Sequence, residues 1–434
     1  MDPVVIQAAL IMLIGLIILL VLGAPISIAV GVPSVLAMFL IVDFDNGMLT
    51  SAQRLFTGIN SFPLLAIPFF VLAGVIMNNG GIATRLVNCA KVLSGRMPGS
   101  LAQTNVLANA MFGSISGSAV AAVAAVGTSL TPEMEKDGYK REFSAAVNVA
   151  SAPSGMLIPP SNTLIVFSLV SGGTSIAALF MGGYIPGILW ALACMVVAFV
   201  VAKKHGYRSS ERVSLKVALK TILDAIPSLL LIVIVIGGII GGIFTATEGA
   251  AIAVVYSLLL SFIYRAIKIK DLPRIILEST RTTAMVTLLI GVSSIMSWVM
   301  AFTNIPGLIA DTLLSLTDSP IIILLIMNIV LLIVGTFMDP TPAVLIFTPI
   351  FLPIVMDFGM DPVHFGIMIV MNLCIGTITP PVGNVLFVGA KVANLKIENV
   401  IKPLLPFFGV LIIALLLVTY IPQLSLWLPS LFGL

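Results

Sequence analysis

Two proline pairs interrupt long apolar stretches of this chain: Ile158-Pro159-Pro160-Ser161-Asn162 and Thr379-Pro380-Pro381-Val382-Gly383-Asn384. Proline removes a helix hydrogen bond and frees a carbonyl. In hydrocarbon, freed backbone groups survive only inside protein or beside a polar cavity. Each pair follows a glycine-rich break by a similar interval: Gly113 to Pro160 spans 47 positions and Gly335 to Pro381 spans 46. Matching helix breaks in two copies point to the binding site of a secondary transporter.

The chain has 434 residues, 59% hydrophobic and 9% charged. Soluble domains carry about 25% charged residues. Apolar runs of ~20 residues recur throughout, each able to cross a bilayer as a helix. The class is therefore an all-α polytopic membrane protein. A β-barrel would instead show segments of ~10 alternating residues. The net charge of +3 comes from Lys and Arg gathered in a few loops, which reads as topology rather than nucleic-acid binding. Cys89, Cys194 and Cys374 lack CxxC spacing and read as small packing residues. The N-terminus lacks a basic n-region and reads as an uncleaved first membrane helix. No Walker sequence, serine elbow or HExxH appears, so ATP-driven transport and proteolysis have no support, and no enzyme is expected. His205 and His364 have no partner at metal-ligand spacing.

Apolar segments run over about 4–22, 24–42, 64–78, 175–200, 225–243, 247–264, 283–302 and 397–420, with broken helices over 142–170 and 362–391. Segments 98–130 and 320–355 are interrupted by Gly, Ser, Asp and Pro. A shift of 222 residues, which carries Gly113 to Gly335, superimposes these elements. The chain thus divides into repeats 1–222 and 223–434, each of five spans plus a segment that enters and turns back. Basic loops mark the cytoplasmic side: Lys203, Lys204, Arg208, Arg212, Lys216 and Lys220; then Arg265, Lys268, Lys270 and Arg274; then Lys391, Lys396 and Lys402. The loop around 303–319 carries Asp311 and Asp318 but no Lys or Arg. Alternation holds only if 98–130 and 320–355 are re-entrant hairpins, so the repeats are inverted and both termini are external. The pieces 50–60 and 266–281, and a helix with Arg85, Lys91 and Arg96, read as interfacial helices against lipid.

Free carbonyls and hydroxyls at such breaks suit a bare monovalent cation. The first tip, with Gly113, Ser114, Ser116, Gly117 and Ser118, and the first break, from Ser154 to Thr163, make one candidate site. The second combines Gly335-Thr336-Phe337-Met338-Asp339-Pro340-Thr341 with Gly376-Thr377-Ile378-Thr379-Pro380-Pro381-Val382. Asp339 is the acidic residue expected near the bilayer midplane, where an ionisable group marks function. It can balance a cation, orient the tip, carry a proton or cap the following helix. For an anionic substrate, half-helix N-termini offer N–H groups, with Ser114, Ser116, Ser161, Asn162, Thr163 and Asp339 placed to help. No buried Arg is expected to clamp a carboxylate. Glu248, in Thr245-Ala246-Thr247-Glu248, reads as a helix-start partner.

Six stretches in order resemble one family: GSISGSAVAAVAAVG, GMLIPPSN, FTATEGAAIAVVY, GTFMDPTPAVLIFTPIFLPIV, DPVHFGIMIVMNLCIGTITPPVG and LFVGAKVANL. The whole chain is similar to the large membrane subunit of TRAP (tripartite ATP-independent periplasmic) transporters. The resemblance implies an elevator-type, sodium-driven importer in the bacterial inner membrane, with Na+ as coupling ion and no organic cofactor. It implies two partners, a small four-helix membrane subunit encoded separately and a periplasmic substrate-binding protein. It implies a carboxylate substrate, a sialic acid or a C4-dicarboxylate. The family's sodium positions map onto Ser114, Ser116, Gly117, Gly155, Ile158 and Pro160, and onto Gly335, Gly376, Thr379 and Val382. A standalone divalent-anion/sodium symporter is the alternative, since Ser161-Asn162-Thr163 is similar to that group. Its second copy here, Val382-Gly383-Asn384, departs from the repeated triplet. A channel or structural membrane protein is a third reading, which the paired inverted breaks argue against.

Overall fold

Apolar runs without internal breakers form single helices, and the punctuated ones bend or turn back. The computed structural model describes residues 3–95, 97–207, 214–317 and 319–434. Arg96, Arg208, Arg212 and Asp318 lie outside the described residues. The described chain is 82% helix and has no strand. Among the described residues, eight helices are long and apolar enough to cross a membrane, and a ninth span is counted if the bent pair Arg141–Leu157 and Asn162–Val170 is one. That pair bends by 46° at the first proline pair. Shorter apolar helices cover Ile26–Met38, Pro320–Gly335 and Pro362–Gly376.

The first interrupted segment is a hairpin of Ser100–Ser116 and Ala119–Lys136, and the second is a hairpin of Pro320–Gly335 and Pro340–Asp357. Gly117 ends the first arm in a left-handed conformation (φ 61°), and Ser118 caps the next by accepting from Ala121 N at 3.3 Å. The second broken helix runs Pro362–Gly376 and Asn384–Val392. Helix Asn384–Val392 lies 222 positions after Asn162–Val170, end for end. Thr245 and Glu248 form a capping box at the start of Ala246–Ile263, with Thr245 N donating to Glu248 Oε2 at 2.7 Å.

Three sequence expectations need correction. The piece 266–281 is not a separate interfacial helix: after a 3₁₀ turn at Ile269–Asp271, one helix runs from Leu272 to Phe302. Its counterpart in the first half stops because Pro63 falls between Phe44–Ile59 and Ala66–Asn79, whereas no proline or glycine interrupts Arg274 to Ile290. The loop 303–319 contains a helix, Ile305–Leu316. The amphipathic piece 50–60 is part of Phe44–Ile59, which starts early because Asp43 caps it by accepting from Asn46 N at 3.3 Å. A further helix, Gln423–Leu431, was not anticipated.

Buried amides bind each hairpin to its broken helix. Asn109 Nδ2 donates to Asn148 Oδ1 at 3.0 Å and Ser151 Oγ at 2.8 Å. In the other half, Asn372 Nδ2 donates to Asn328 Oδ1 at 2.7 Å and Asn328 O at 2.9 Å. Asn109 and Asn372 are each 0% exposed. The two broken helices also meet: Cys374 Sγ lies 3.9 Å from Met156 Sδ, and the Phe167 and Phe365 rings are 6.1 Å apart. The cysteines are buried packing groups, and His364 Nε2 lies 2.7 Å from Val418 O. Asn372→Leu keeps the volume but orphans its partners, which costs about 1–3 kcal/mol. The purified variant should melt several degrees lower, and an unchanged melting temperature would show that the amide pair contributes nothing.

Candidate functional site

Each hairpin tip crosses its broken helix glycine to glycine. A β-carbon on Gly113 would lie 2.6 Å from Gly155 Cα, and one on Gly335 would lie 3.1 Å from Gly376 Cα. Neither crossing has room for a side chain. Backbone oxygens of tip and break therefore come close together, and the Pro159–Pro160 and Pro380–Pro381 bonds beside them are cis.

At the second crossing, Gly383 N donates to Thr336 O at 3.0 Å and Val385 N donates to Thr377 O at 3.1 Å. Gly383 is left-handed (φ 41°), and a β-carbon there would sit 2.8 Å from Thr379 O and 3.0 Å from Thr377 O. The missing side chain leaves an oxygen-lined cradle of the kind a hard monovalent cation takes. Thr379 Oγ1 is not free for it, since it donates to Ile375 O at 2.7 Å. Val382 turns its side chain outward, 42% exposed. At the first crossing, a β-carbon on Gly117 would lie 3.5 Å from Pro160 O, and one on Gly155 would lie 2.8 Å from Ser114 N. Ile158 lies beside them at the end of the turn Ser154–Leu157, packed on Gly187. Ser114 Oγ donates to Met111 O at 2.9 Å, and Ser116 Oγ lies 3.4 Å from Ser118 N.

Between the crossings lies a cavity of ≈ 550 Å³. The first half contributes Gly117, Ser118, Asn162 and Thr163. The second half contributes Asp339, Thr341, Thr377 and Asn384. The remaining wall is mostly apolar: Ala24 to Ser27, Ile67 and Val71, and the face of Leu272–Phe302 from Thr282 to Leu289. Four helices begin at this cavity, at Ala119, Asn162, Pro340 and Asn384, so four sets of N–H groups converge there. Among the described residues, Asp339 is the one ionisable residue in the lining, and no Lys, Arg or His joins it. Its Oδ2 accepts from Asn384 Nδ2 at 3.1 Å.

Of the residues expected to meet a substrate, Asn162, Thr163 and Asp339 line the cavity. Ser114, Ser116 and Ser161 do not. Ser161 is fully buried, and its hydroxyl accepts from Leu164 N at 3.4 Å. Ser118, Thr341, Thr377 and Asn384 line the cavity without having been assigned to substrate. Asn384 was readable from its place, the first residue after the second break, as Asn162 is after the first. Gly155→Ala would drive a methyl into the Gly113 backbone, and over-packing of this kind costs about 1–3 kcal/mol. The variant should lose both thermal stability and uptake, and wild-type values for both would refute the tightness of the crossing.

The comparisons agree with this architecture. The family described as "Tripartite ATP-independent periplasmic transporter, DctM component" matches residues 13–424. The chain is 54% identical over 416 residues to the uncharacterized protein YgiK of Salmonella typhimurium, covering 96% of each. It is 42% identical to the isethionate TRAP transporter permease protein DctMQ of Oleidesulfovibrio alaskensis, covering 94% of this chain and 64% of that longer protein. Among solved structures, the Alcanivorax borkumensis YdaH transporter, described as having an unusual topology, aligns with a TM-score of 0.57 at 14% identity over 90% of each chain. That likeness concerns the fold.

Proposed function

The chain belongs to the DctM component family of tripartite ATP-independent periplasmic transporters, and from that premise we propose that it is the membrane pathway of a sodium-coupled organic-acid importer. Relatives of this family support secondary transport of organic acids. One observation carries the reading for this chain: the polar side of one cavity is formed by two hairpin tips and two helix breaks, beside an oxygen cradle.

In this proposal sodium occupies two places. Ser114, Ser116, Gly117, Gly155, Ile158 and Pro160 surround the first. Gly335, Asp339, Gly376, Thr379 and Val382 surround the second, with the oxygens of Thr377 and Thr379 nearest the cradle. The ions draw tip and break together and offset Asp339, and the organic acid then enters the cavity between them. Sialic acids and C4-dicarboxylates are the substrate classes considered, and the isethionate relative extends the range to a sulfonate. The substrate arrives on a periplasmic binding protein, and a small four-helix subunit braces the static helices in the bacterial inner membrane. Both termini face the periplasm. The two hairpins and broken helices move together as an elevator, since the contacts between Met156 and Cys374 and between Phe167 and Phe365 join them.

Reconstitution tests this. Proteoliposomes holding the large and small subunits should accumulate substrate only with an inward sodium gradient and the binding protein outside. Strong uptake by the large subunit alone would sink the tripartite assignment. Gly383→Ala fills the cradle with a methyl, so half-maximal uptake should need at least about tenfold more sodium, the ratio that ~1.4 kcal/mol produces. An unchanged sodium dependence would remove that cradle from the coupling site.

A further inference from the structure

The two halves of the cavity share an asparagine at the start of the helix after each break, Asn162 and Asn384, and differ in what the tip presents to it. In the second half, Asp339 stands just before the arm Pro340–Asp357, makes no capping hydrogen bond to it, and holds its carboxylate against Asn384, the first residue of Asn384–Val392. In the first half, helix Asn162–Val170 also opens with asparagine. There the tip offers Gly117, which has no side chain, and Ser118, whose hydroxyl accepts from Ala121 N and carries no charge. A β-carbon on Gly117 would lie 3.2 Å from Asn162 Nδ2, so tip and amide face each other as Asp339 and Asn384 do. The Asn162 amide lines the cavity and makes no hydrogen bond among the described residues. One asparagine holds a carboxylate belonging to the protein, and its counterpart holds none.

We propose that the substrate's carboxylate takes on Asn162 the place that the Asp339 carboxylate takes on Asn384, so the site admits a monocarboxylate and not a dicarboxylate. The inference rests on the organic-acid reading above. The far end of the substrate then faces Asp339. An ionised carboxylate only accepts hydrogen bonds, so that end must present hydroxyl or N–H donors. A second carboxylate would meet a like charge with no Lys, Arg or His in the lining to offset it. The charge balance agrees. Two sodium ions neutralise Asp339 and one substrate carboxylate, whereas a second leaves a negative charge unpaired at membrane depth, which is expensive.

The test uses acids matched in length that differ only at the far end: 4-hydroxybutyrate against succinate, and gluconate against glucarate. Sodium-dependent binding is measured by titration on the full chain in lipid nanodiscs, with N-acetylneuraminate as a further hydroxylated monocarboxylate. The member of each pair that ends in a hydroxyl should bind at least about tenfold tighter. Succinate or glucarate binding as tightly as its partner would overturn the proposal while leaving organic-acid transport standing. Binding of none of the five would instead remove the organic-acid reading and this inference with it. Asp339→Asn should bring the two members of a pair to within about twofold of each other; an undiminished ratio would also overturn it. Asn162→Asp, which places a carboxylate where the substrate's belongs, should abolish binding of the hydroxy acids. Retained binding, with the variant's ligand-free melting temperature at the wild-type value, would refute the assignment of the carboxylate to Asn162.

Discussion

The rest of the site depends on the glycine-to-glycine crossing of each hairpin with its broken helix. A side chain at either crossing would hold the two backbones apart, and tip and break could no longer meet. The crossing itself supplies little attraction, because glycine buries little apolar surface. Hydrogen bonds a turn or two away hold it. In the first half the hairpin residue Asn109 donates to Asn148 on the broken helix. In the second half the direction reverses, with Asn372 on the broken helix donating to Asn328 on the hairpin. In both halves the donor lies one helical turn before its own crossing glycine and the acceptor two turns before. Donor and acceptor have exchanged helices while the geometry is kept, so each pair sets the same register.

Most of the architecture was readable because its signals are local. Proline pairs, glycine breaks and apolar runs announce themselves in one dimension, and the 222-residue shift aligns Asn162–Val170 with Asn384–Val392 without slippage. The misreadings came where a local pattern has two outcomes. Residues 266–281 are amphipathic, which suits an interfacial helix and also suits the first turns of a long helix leaving the interface. Only the absence of a breaker after Pro273 decides it. The placement of the candidate substrate residues shows a related limit. Ser114, Ser116 and Ser161 sit in the right segments, but each hydroxyl faces backbone of its own hairpin or helix. Side-chain direction follows from how the tip folds over the break, which residue type and spacing do not encode.

The two kinds of cavity wall bear on how such a site could move. Most of its polar side chains, from Ser118 to Asn384, belong to the hairpins and breaks, and Ser27 and Thr282 are the polar side chains of the opposite wall. The opposite wall, with Ile67, Val71, Met285, Val286 and Leu289, offers aliphatic surface and few hydrogen-bonding atoms. A substrate held by the hairpins and breaks can travel with them, because few polar groups on the opposite wall, Ser27 and Thr282 among them, oppose the displacement. Dispersion contacts with one aliphatic side chain are readily exchanged for contacts with the next, so displacement along that wall meets a low barrier. Polar contacts on both walls would favour one position and oppose sliding. This division of chemistry between the walls supports an elevator more strongly than the hairpins do, since hairpins alone would serve equally well in a gate.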